Sequence, residues 1–329
     1  MARGHAPAGP PRRRGARVKA LVTGGAGFIG SNLVDALHAA GRDVTVIDDL
    51  STGHHANLET ALSRGVTLHE IDIRDAAAVR AFIAVERPCV VFHLAAQIDV
   101  RQSVADCAWD ARINVEGTIN VLDAAHAAGV ERFVLASTGG AIYGDTARIP
   151  SGEETPVQPL APYGQSKHAA EGYCGLYTRL HRLSTVCLRY ANVYGPRQDP
   201  LGEGGVVAIF CGKLLEDEPP TLYGDGTQTR DYVFVDDVVA ATMSAADSRA
   251  NGCFNVGTGN ETTVLGLVEA LRELEPGLPL EPVHAPARQG ELDRSCLDPG
   301  RASRELGWNA SFDLPRGLRR TLDWLQAGR

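Results

Sequence analysis

One segment limits what this chain can fold into more than any other: Leu21-Val22-Thr23-Gly24-Gly25-Ala26-Gly27-Phe28-Ile29-Gly30. An apolar, β-branched run leads into glycines spaced G-x-x-G-x-x-G, and an apolar helical pattern follows, so the segment reads as strand, tight turn and helix start. Without side chains at Gly24 and Gly27, backbone N–H groups can approach a pyrophosphate, which the positive end of the helix favours, while Gly30 permits close packing of the helix. Glycines alone are weak evidence. The next apolar run, VTVIDD, ends at Asp48 about 20 residues on, where a carboxylate holds a ribose 2′-OH and repels a 2′-phosphate. Together the two features predict a dinucleotide site that takes NAD rather than NADP.

From Val18 onward, short apolar runs (VKALVTG, VTVID, VTLHEID, VVFHLAA, RFVLAS, TVCLRY) alternate with helical stretches, the pattern of repeated βαβ units. The expected fold is α/β: a Rossmann-type doubly wound parallel sheet over residues 18–188, with a return segment near 231–257. After residue 189 the alternation loosens around YGPRQDPLGEGG and EDEPPTLYGDGTQ, which suits a smaller C-terminal substrate-binding α/β lobe over 189–329. Residues 1–17 carry five arginines and no acidic residue, and read as a disordered basic tail. Hydrophobic residues at 44% and charged residues at 22% exclude disordered, collagen-like and coiled-coil classes for the rest of the 329 residues. A net charge of −8 gives no basic field, so neither nucleic acid nor an anionic membrane is expected as a partner. With no apolar run of the ~18 residues that a membrane span needs, and no apolar segment at the start, a cytoplasmic location is expected. The seven cysteines are scattered and never spaced as a metal clip, so no metal site is expected.

Asp72 and Ile73 close the third strand, where a carboxylate can reach an adenine amino group. Leu94, Ala95, Ala96 and Gln97 end the fourth with small residues that let a ribose and nicotinamide pass close, and His93 before them reads as structural. Tyr163 and Lys167 in PYGQSK lie four apart, so a phenol and an ammonium share one face of the helix that begins after Pro162. A phenol near pKa 10 is a poor base at neutral pH, but a neighbouring cation favours phenolate. Ser137 and Thr138 follow the fifth strand, so their hydroxyls emerge at the carboxyl edge of the sheet, where ligands bind in such folds.

In these motifs, and in DIRD, NVEGTINVL, STGGAIYG, LRYANVYGPRQ, RDYVFVDD, FNVGTG and RASRELGW, the chain resembles the extended short-chain dehydrogenase/reductase superfamily. Within it, the likeness is to the NAD-dependent nucleotide-sugar epimerases of the UDP-glucose 4-epimerase type. The resemblance implies NAD as cofactor, a UDP-sugar as substrate, and a homodimer through the Asn114 and Tyr163 helices. It makes Tyr163 the base, Lys167 its partner on the NAD ribose, and Thr138 the Ser/Thr hydroxyl. STGGAIYG is one residue longer than the usual interval, so Ser137 either shares that role or takes it from Thr138. The resemblance also places Phe28, Ile29, Asp49, Leu50, Ser51, Thr52, Gly53, Asn114, Tyr190 and Val193 on the cofactor. Asn192, Gly205, Val206, Val207, Arg230, Arg288 and Glu291 fall on the nucleotide sugar, Glu291 replacing a more usual Asp.

The implied reaction removes the proton of the sugar 4-OH on Tyr163 as hydride passes from C4 to NAD, and returns the hydride to the opposite face of a transient 4-keto sugar. Ser295 stands where some relatives carry a bulky Tyr against N-acetylhexosamines, and Arg197 where uronate-handling relatives meet a carboxylate. Glucose/galactose is therefore the first expectation, with glucuronate, an N-acetylhexosamine and a dTDP-sugar as alternatives. A 4,6-dehydratase needs Asp-Glu where this chain has Gly139 and Gly140. A uronate decarboxylase and a 5-epimerase/reductase are further alternatives, as is a non-catalytic NAD-binding regulator, which would not need Thr138, Tyr163 and Lys167 together.

Overall fold

Alternate side chains of the apolar runs turn to opposite faces of one sheet, and both faces are covered. Residues 18–200, 205–276, 281–286 and 292–327 are described by the structure, a computed structural model. The chain runs β1 (Lys19–Thr23), α1 (Phe28–Ala39), β2 (Asp43–Asp48), α2 (Glu59–Ser63), β3 (Thr67–Glu70), α3 (Ala76–Glu86) and β4 (Val90–His93). It continues through α4 (Val100–Ala105), α5 (Cys107–Ala111), a π-helical turn at Arg112–Gly117, α6 (Thr118–Ala128), β5 (Arg132–Thr138), α7 (Pro162–His181) and β6 (Ser184–Tyr190). Next come β7 (Asn192–Tyr194), α8 (Val206–Leu215), β8 (Thr221–Tyr223), β9 (Thr229–Arg230), β10 (Tyr232–Phe234) and α9 (Val235–Asp247). β11 (Gly252–Val256), β12 (Thr262–Thr263), α10 (Val264–Leu274), β13 (Val283–Ala285), α11 (Gly300–Leu306) and α12 (Leu314–Ala327) complete it.

Seven strands form the main sheet in the order β11-β6-β5-β4-β1-β2-β3, every pair parallel. Ala20, Val22, Val46, Phe92, Val134 and Leu188 face one apolar core, while Leu21, Ile47, Val91, Phe133, Leu135 and Cys187 face the other. That alternation, with helices on both faces, is a doubly wound α/β fold. The strand order reverses between β1 and β4, so the crevice for a ligand opens above their carboxyl ends. β11 returns from the C-terminal half to pair with β6, Cys253 opposite Cys187. The remaining strands make two-stranded pairs, β10-β7, β12-β9 and β13-β8. Among the described residues, no helix is long and apolar enough to cross a membrane, and no cluster of His, Cys, Asp and Glu is arranged for a metal. The expected tail at 1–17 lies outside the described residues.

Candidate active site

Backbone forms the first part of the crevice. Gly24 has φ +71°, donates its N–H to the Ile47 carbonyl at 2.9 Å, and leaves no space for a Cβ, which would lie 2.5 Å from Ala95 N. At Gly30 a Cβ would meet the Gly24 oxygen at 2.1 Å, so only glycine lets α1 approach the turn. In front of Gly27 the space is open, with the Gly24 oxygen 3.4 Å away as the nearest contact. α1 begins without a side-chain cap and without an acidic residue in its first turn. Its first N–H groups, around Phe28 and Ile29, are thus left for an anion, and the helix dipole favours one.

At the end of β2 the Asp48 carboxylate accepts from Ala26 N and Leu50 N, each at 2.9 Å, and burial raises its pKa. Those two bonds fix the carboxylate beside the glycine turn, and Gly53 is the residue whose missing Cβ keeps that space open, 2.9 Å from Asp48 Oδ1. Asp49 accepts from Ser51 N and Oγ, which folds the loop that carries Leu50 at φ 57° and an exposed Thr52. An uncapped helix end, an open glycine and a fixed carboxylate together fit the pyrophosphate and ribose of a dinucleotide. Asp72 departs from the expectation. Its carboxylate is bonded to Arg74 Nε and Nη2 at 2.9 and 2.6 Å, and that bond lowers its pKa. Asp72 is therefore engaged with its neighbour, and Ile73 is buried beside Gly117.

The loop after β4 is pinned from both sides. Leu94 N and Ala95 N donate to Thr23 O and Oγ1, and half-buried Ala96 leads to Gln97, whose N and O are both bonded to the Asn114 amide at 2.9 and 3.0 Å. Asn114 sits in the π-helical turn and also donates to Asp110 and Ser166, so it joins this loop to α5 and α7. His93 lies between Thr23 and Thr118, and burial drives its pKa down to about 3, which keeps the ring neutral.

Side chains form the second part. Pro162 opens α7 at its first turn, where its missing N–H costs nothing, and sets Tyr163 and Lys167 one turn apart. The Thr138 hydroxyl, at the end of β5, lies beside the Tyr163 phenol. Burial pushes the phenol up to about 12, and the neighbouring Thr138 hydroxyl opposes that rise. Burial pulls Lys167 down to about 8, with the Glu171 carboxylate the largest opposing influence. Ser137 departs from its expected share of the catalytic role: its Oγ donates to Glu171 at 2.7 Å, in a buried ion pair with Arg189. Thr138 is the hydroxyl that meets the phenol.

Beyond Thr138, Gly139 N and Gly140 N both donate to the Tyr190 carbonyl. A Cβ on Gly139 would lie 2.4 Å from Leu297 Cδ1, so a larger residue there requires the Leu297 side chain to shift. Asn192 Oδ1 is buried without a partner among the described residues, 3.4 Å from where a Gly140 Cβ would stand. A buried orphan acceptor has a desolvation cost that a ligand donor would relieve. Gly139, Gly140, Tyr143, Ser295, Cys296 and Leu297 line a small cleft at this point.

Other expected residues are placed as follows. The Tyr190 phenol is bonded to Thr242 in the core, which takes its side chain off the cofactor, and Val193 O accepts from Gln198. Arg230 Nη1 donates to Thr229 O and Leu292 O, while Asp231 is taken up by Thr258, Gly259 N and Leu297 N. Gly205 caps α8, with Val206 half-buried and Val207 buried in its first turn. Arg197 Nη2 is bonded to Asp35 of α1 at 2.6 Å, while its Nη1 is buried without a partner among the described residues. Arg288 and Glu291 lie outside the described residues. Sequence reasoning missed Glu171, Asp110 and Asp231; only Glu171 left a signal, at four residues beyond Lys167 on the same helical face.

Comparison with known proteins agrees with this geometry. Residues 20–257 match the family model described as NAD dependent epimerase/dehydratase family. A UDP-glucose 4-epimerase of Mycolicibacterium smegmatis is 46% identical over 311 residues, 94% of this chain and 99% of the relative. The crystal structure of a UDP-glucose 4-epimerase with UDP-glucose from Thermotoga maritima superposes with a TM-score of 0.91 at 43% identity, covering 94% of this chain and 99% of that one. That of the Thermus thermophilus UDP-glucose 4-epimerase in complex with NAD does so with a TM-score of 0.88 at 42% identity, covering 94% and 100%. Matched along most of its length in sequence and in structure, the chain belongs to the NAD dependent epimerase/dehydratase family.

Proposed function

We propose that the protein is an NAD-dependent UDP-sugar 4-epimerase, an isomerase that interconverts UDP-glucose and UDP-galactose. The observation that carries this reading is the Thr138 hydroxyl beside the Tyr163 phenol, one turn from Lys167, at the carboxyl edge of the same sheet that carries the glycine turn. When bound, NAD supplies the acceptor and donor of hydride for C4 of the sugar, together with a positive charge near the phenol. Tyr163 takes the proton from the sugar 4-OH and returns it after the ring has presented its other face. Thr138 holds the phenol in line and accepts or donates in a hydrogen bond with it. Lys167 contributes a cation one turn away, which favours the phenolate. The first turn of α1 and Asp48 hold the pyrophosphate and ribose. Asn192, Arg230 and the 205–207 turn, with Arg288 and Glu291, anchor the UDP half in the lobe formed by 189–329.

The glycines at 139 and 140 disfavour a dehydratase, which would need an acid and a base at those two positions, and a Cβ at 139 would press on the Leu297 side chain. The glucuronate alternative keeps a support in Arg197, whose Nη1 is buried without a partner among the described residues while Nη2 is held by Asp35. The N-acetylhexosamine alternative keeps a specific support in Ser295, a small buried residue on the cleft. We place a homodimer seam on α6 and α7, where Tyr173 is 37% and Leu180 65% exposed on the outer face of α7; light scattering of the purified protein measures it.

The test incubates the purified protein, without added cofactor, with UDP-glucose, UDP-N-acetylglucosamine, UDP-glucuronate and dTDP-glucose. Products are resolved by chromatography and mass. An epimer of unchanged mass from UDP-glucose supports the reading. Loss of ~18 or ~44 mass units, the signatures of dehydration and decarboxylation, overturns it, because either outcome commits the 4-keto sugar to a second chemical step. Bound NAD with no turnover of any of the four sugars points to the regulator.

A further inference from the structure

One helical turn beyond Lys167, Glu171 is buried with only 3% of its side chain exposed. Its carboxylate receives Ser137 Oγ at 2.7 Å and Arg189 Nε at 2.9 Å on Oε1, and Arg189 Nη2 at 2.7 Å on Oε2. Arg189 passes the connection on, donating from Nη1 to the Tyr143 hydroxyl at 2.9 Å, which donates to Asn255 Oδ1 at 2.7 Å. Asn255 in turn donates to Ser151 O and Asp298 O. A single buried network therefore ties α7, β5, β6 and β11 to the segment that follows Leu297, the residue packed against Gly139. A buried ion pair adds little net stability compared with apolar packing, so stability alone is a weak account of why two charges sit under a reacting phenol.

We propose that Glu171, gripped by Arg189, is a positioning residue for the reaction: it takes up the Ser137 hydroxyl, fixes the end of β5 against α7 so that Thr138 meets Tyr163, and sets a negative charge one turn from Lys167. The inference rests on the epimerase reading of the same site. Occupation of Ser137 explains why two adjacent hydroxyls have separate roles. The charge acts on Lys167 along with the other groups around it: Cys174 from α7, Asp110 from α5, Cys187 from β6, and the neutral His93 from β4. Of these, Glu171 is the strongest influence that keeps the ammonium protonated against its burial.

The experiment measures kcat and KM for UDP-glucose between pH 6 and 10 in the wild-type protein, Ser137→Ala, Thr138→Ala, Glu171→Gln and the double variant Glu171→Gln/Arg189→Met, with melting temperature and bound NAD recorded for each. For Glu171→Gln we expect kcat to fall about 10- to 100-fold with KM within about 3-fold, and the alkaline limb to move about one unit to lower pH. The double variant moves the same way by less, because the repulsion of Lys167 by Arg189 leaves with the carboxylate. Thr138→Ala loses about 100-fold in kcat and Ser137→Ala, which removes the link to Glu171 but leaves the Thr138 hydroxyl, about 5- to 20-fold. A merely structural role predicts lower melting temperatures with an unmoved pH profile. Folded, NAD-bound Glu171→Gln with wild-type kcat and alkaline limb overturns the inference, as does Ser137→Ala losing as much as Thr138→Ala. If Glu171→Gln does not fold, the double variant decides by the same criterion. Wild-type protein that turns over none of the sugars overturns the epimerase reading, and this inference with it; wild-type turnover with unresponsive variants overturns the inference alone.

Discussion

The two halves of the crevice are built from different materials. At the end we assign to the dinucleotide, the available groups are peptide N–H groups beside open Gly27 and an uncapped α1, with one carboxylate held by two backbone bonds. At the end we assign to the chemistry they are side chains from β5 and α7, held by a hydroxyl contact and a buried ion pair. A backbone site tolerates almost any side chain except one at its glycines. A side-chain site fails when a single functional atom is lost. The difference predicts which substitutions separate binding from chemistry.

Tyr163→Phe probes that separation most sharply: removing the phenolic hydroxyl lowers kcat by about 10³-fold, the scale of a positioned general base, while the NAD released on denaturation stays at wild-type stoichiometry. A wild-type rate in this variant breaks both the mechanism and the contrast. Gly30→Ala is the converse. A methyl 2.1 Å from the Gly24 oxygen forces the turn apart. Stability should drop by about 3 kcal/mol in denaturant titration and NAD should be lost on purification. Asp48→Ala is milder: NAD retention, measured by equilibrium dialysis, weakens about 10- to 100-fold, and kcat at saturating NAD stays within about 3-fold.

The pH dependence sharpens the contrast further. Lys167 titrates near 8 in the folded protein, so activity declines as pH rises through that value and the ammonium is lost. His93 concerns the fold instead. Its pKa is about 3 when folded against an ordinary value of 6.5, so unfolding takes up a proton between those values. Its contribution to stability is complete above pH 6.5 and fades as pH falls toward 3, which thermal melts between pH 7 and 4 will follow. His93→Gln should flatten that slope by a small margin.

The same contrast explains what was legible in the sequence. The glycine turn, the six strand-forming runs and Asp48 could be read because their spacing is local and their requirement is steric. Tyr163 and Lys167 could be read because a helix brings positions four apart onto one face. Which of Ser137 and Thr138 meets the phenol could not, since neighbouring residues on a strand differ only in what lies across from them, and Glu171 decides it from 34 residues away. The pairing of Arg197 with Asp35 could not be read for the same reason: the two are separated by 162 residues. Asp72 shows the opposite case, in which a carboxylate read for a distant partner also pairs with an arginine two residues on.

The path of β11 has a consequence for recombination. The chain leaves its main sheet at Tyr190 and returns to it at Gly252, so the edge strand of that sheet is encoded in the middle of the segment we assign to the sugar. On that assignment no single crossover between two related genes exchanges one half for the other. A chimera cut near 190 would dock a foreign strand on β6, and with it foreign partners for Arg189 and Tyr143 through Asn255. Transplanting sugar preference onto this scaffold requires two inserts, one on each side of 252–256, that leave the native edge strand in place.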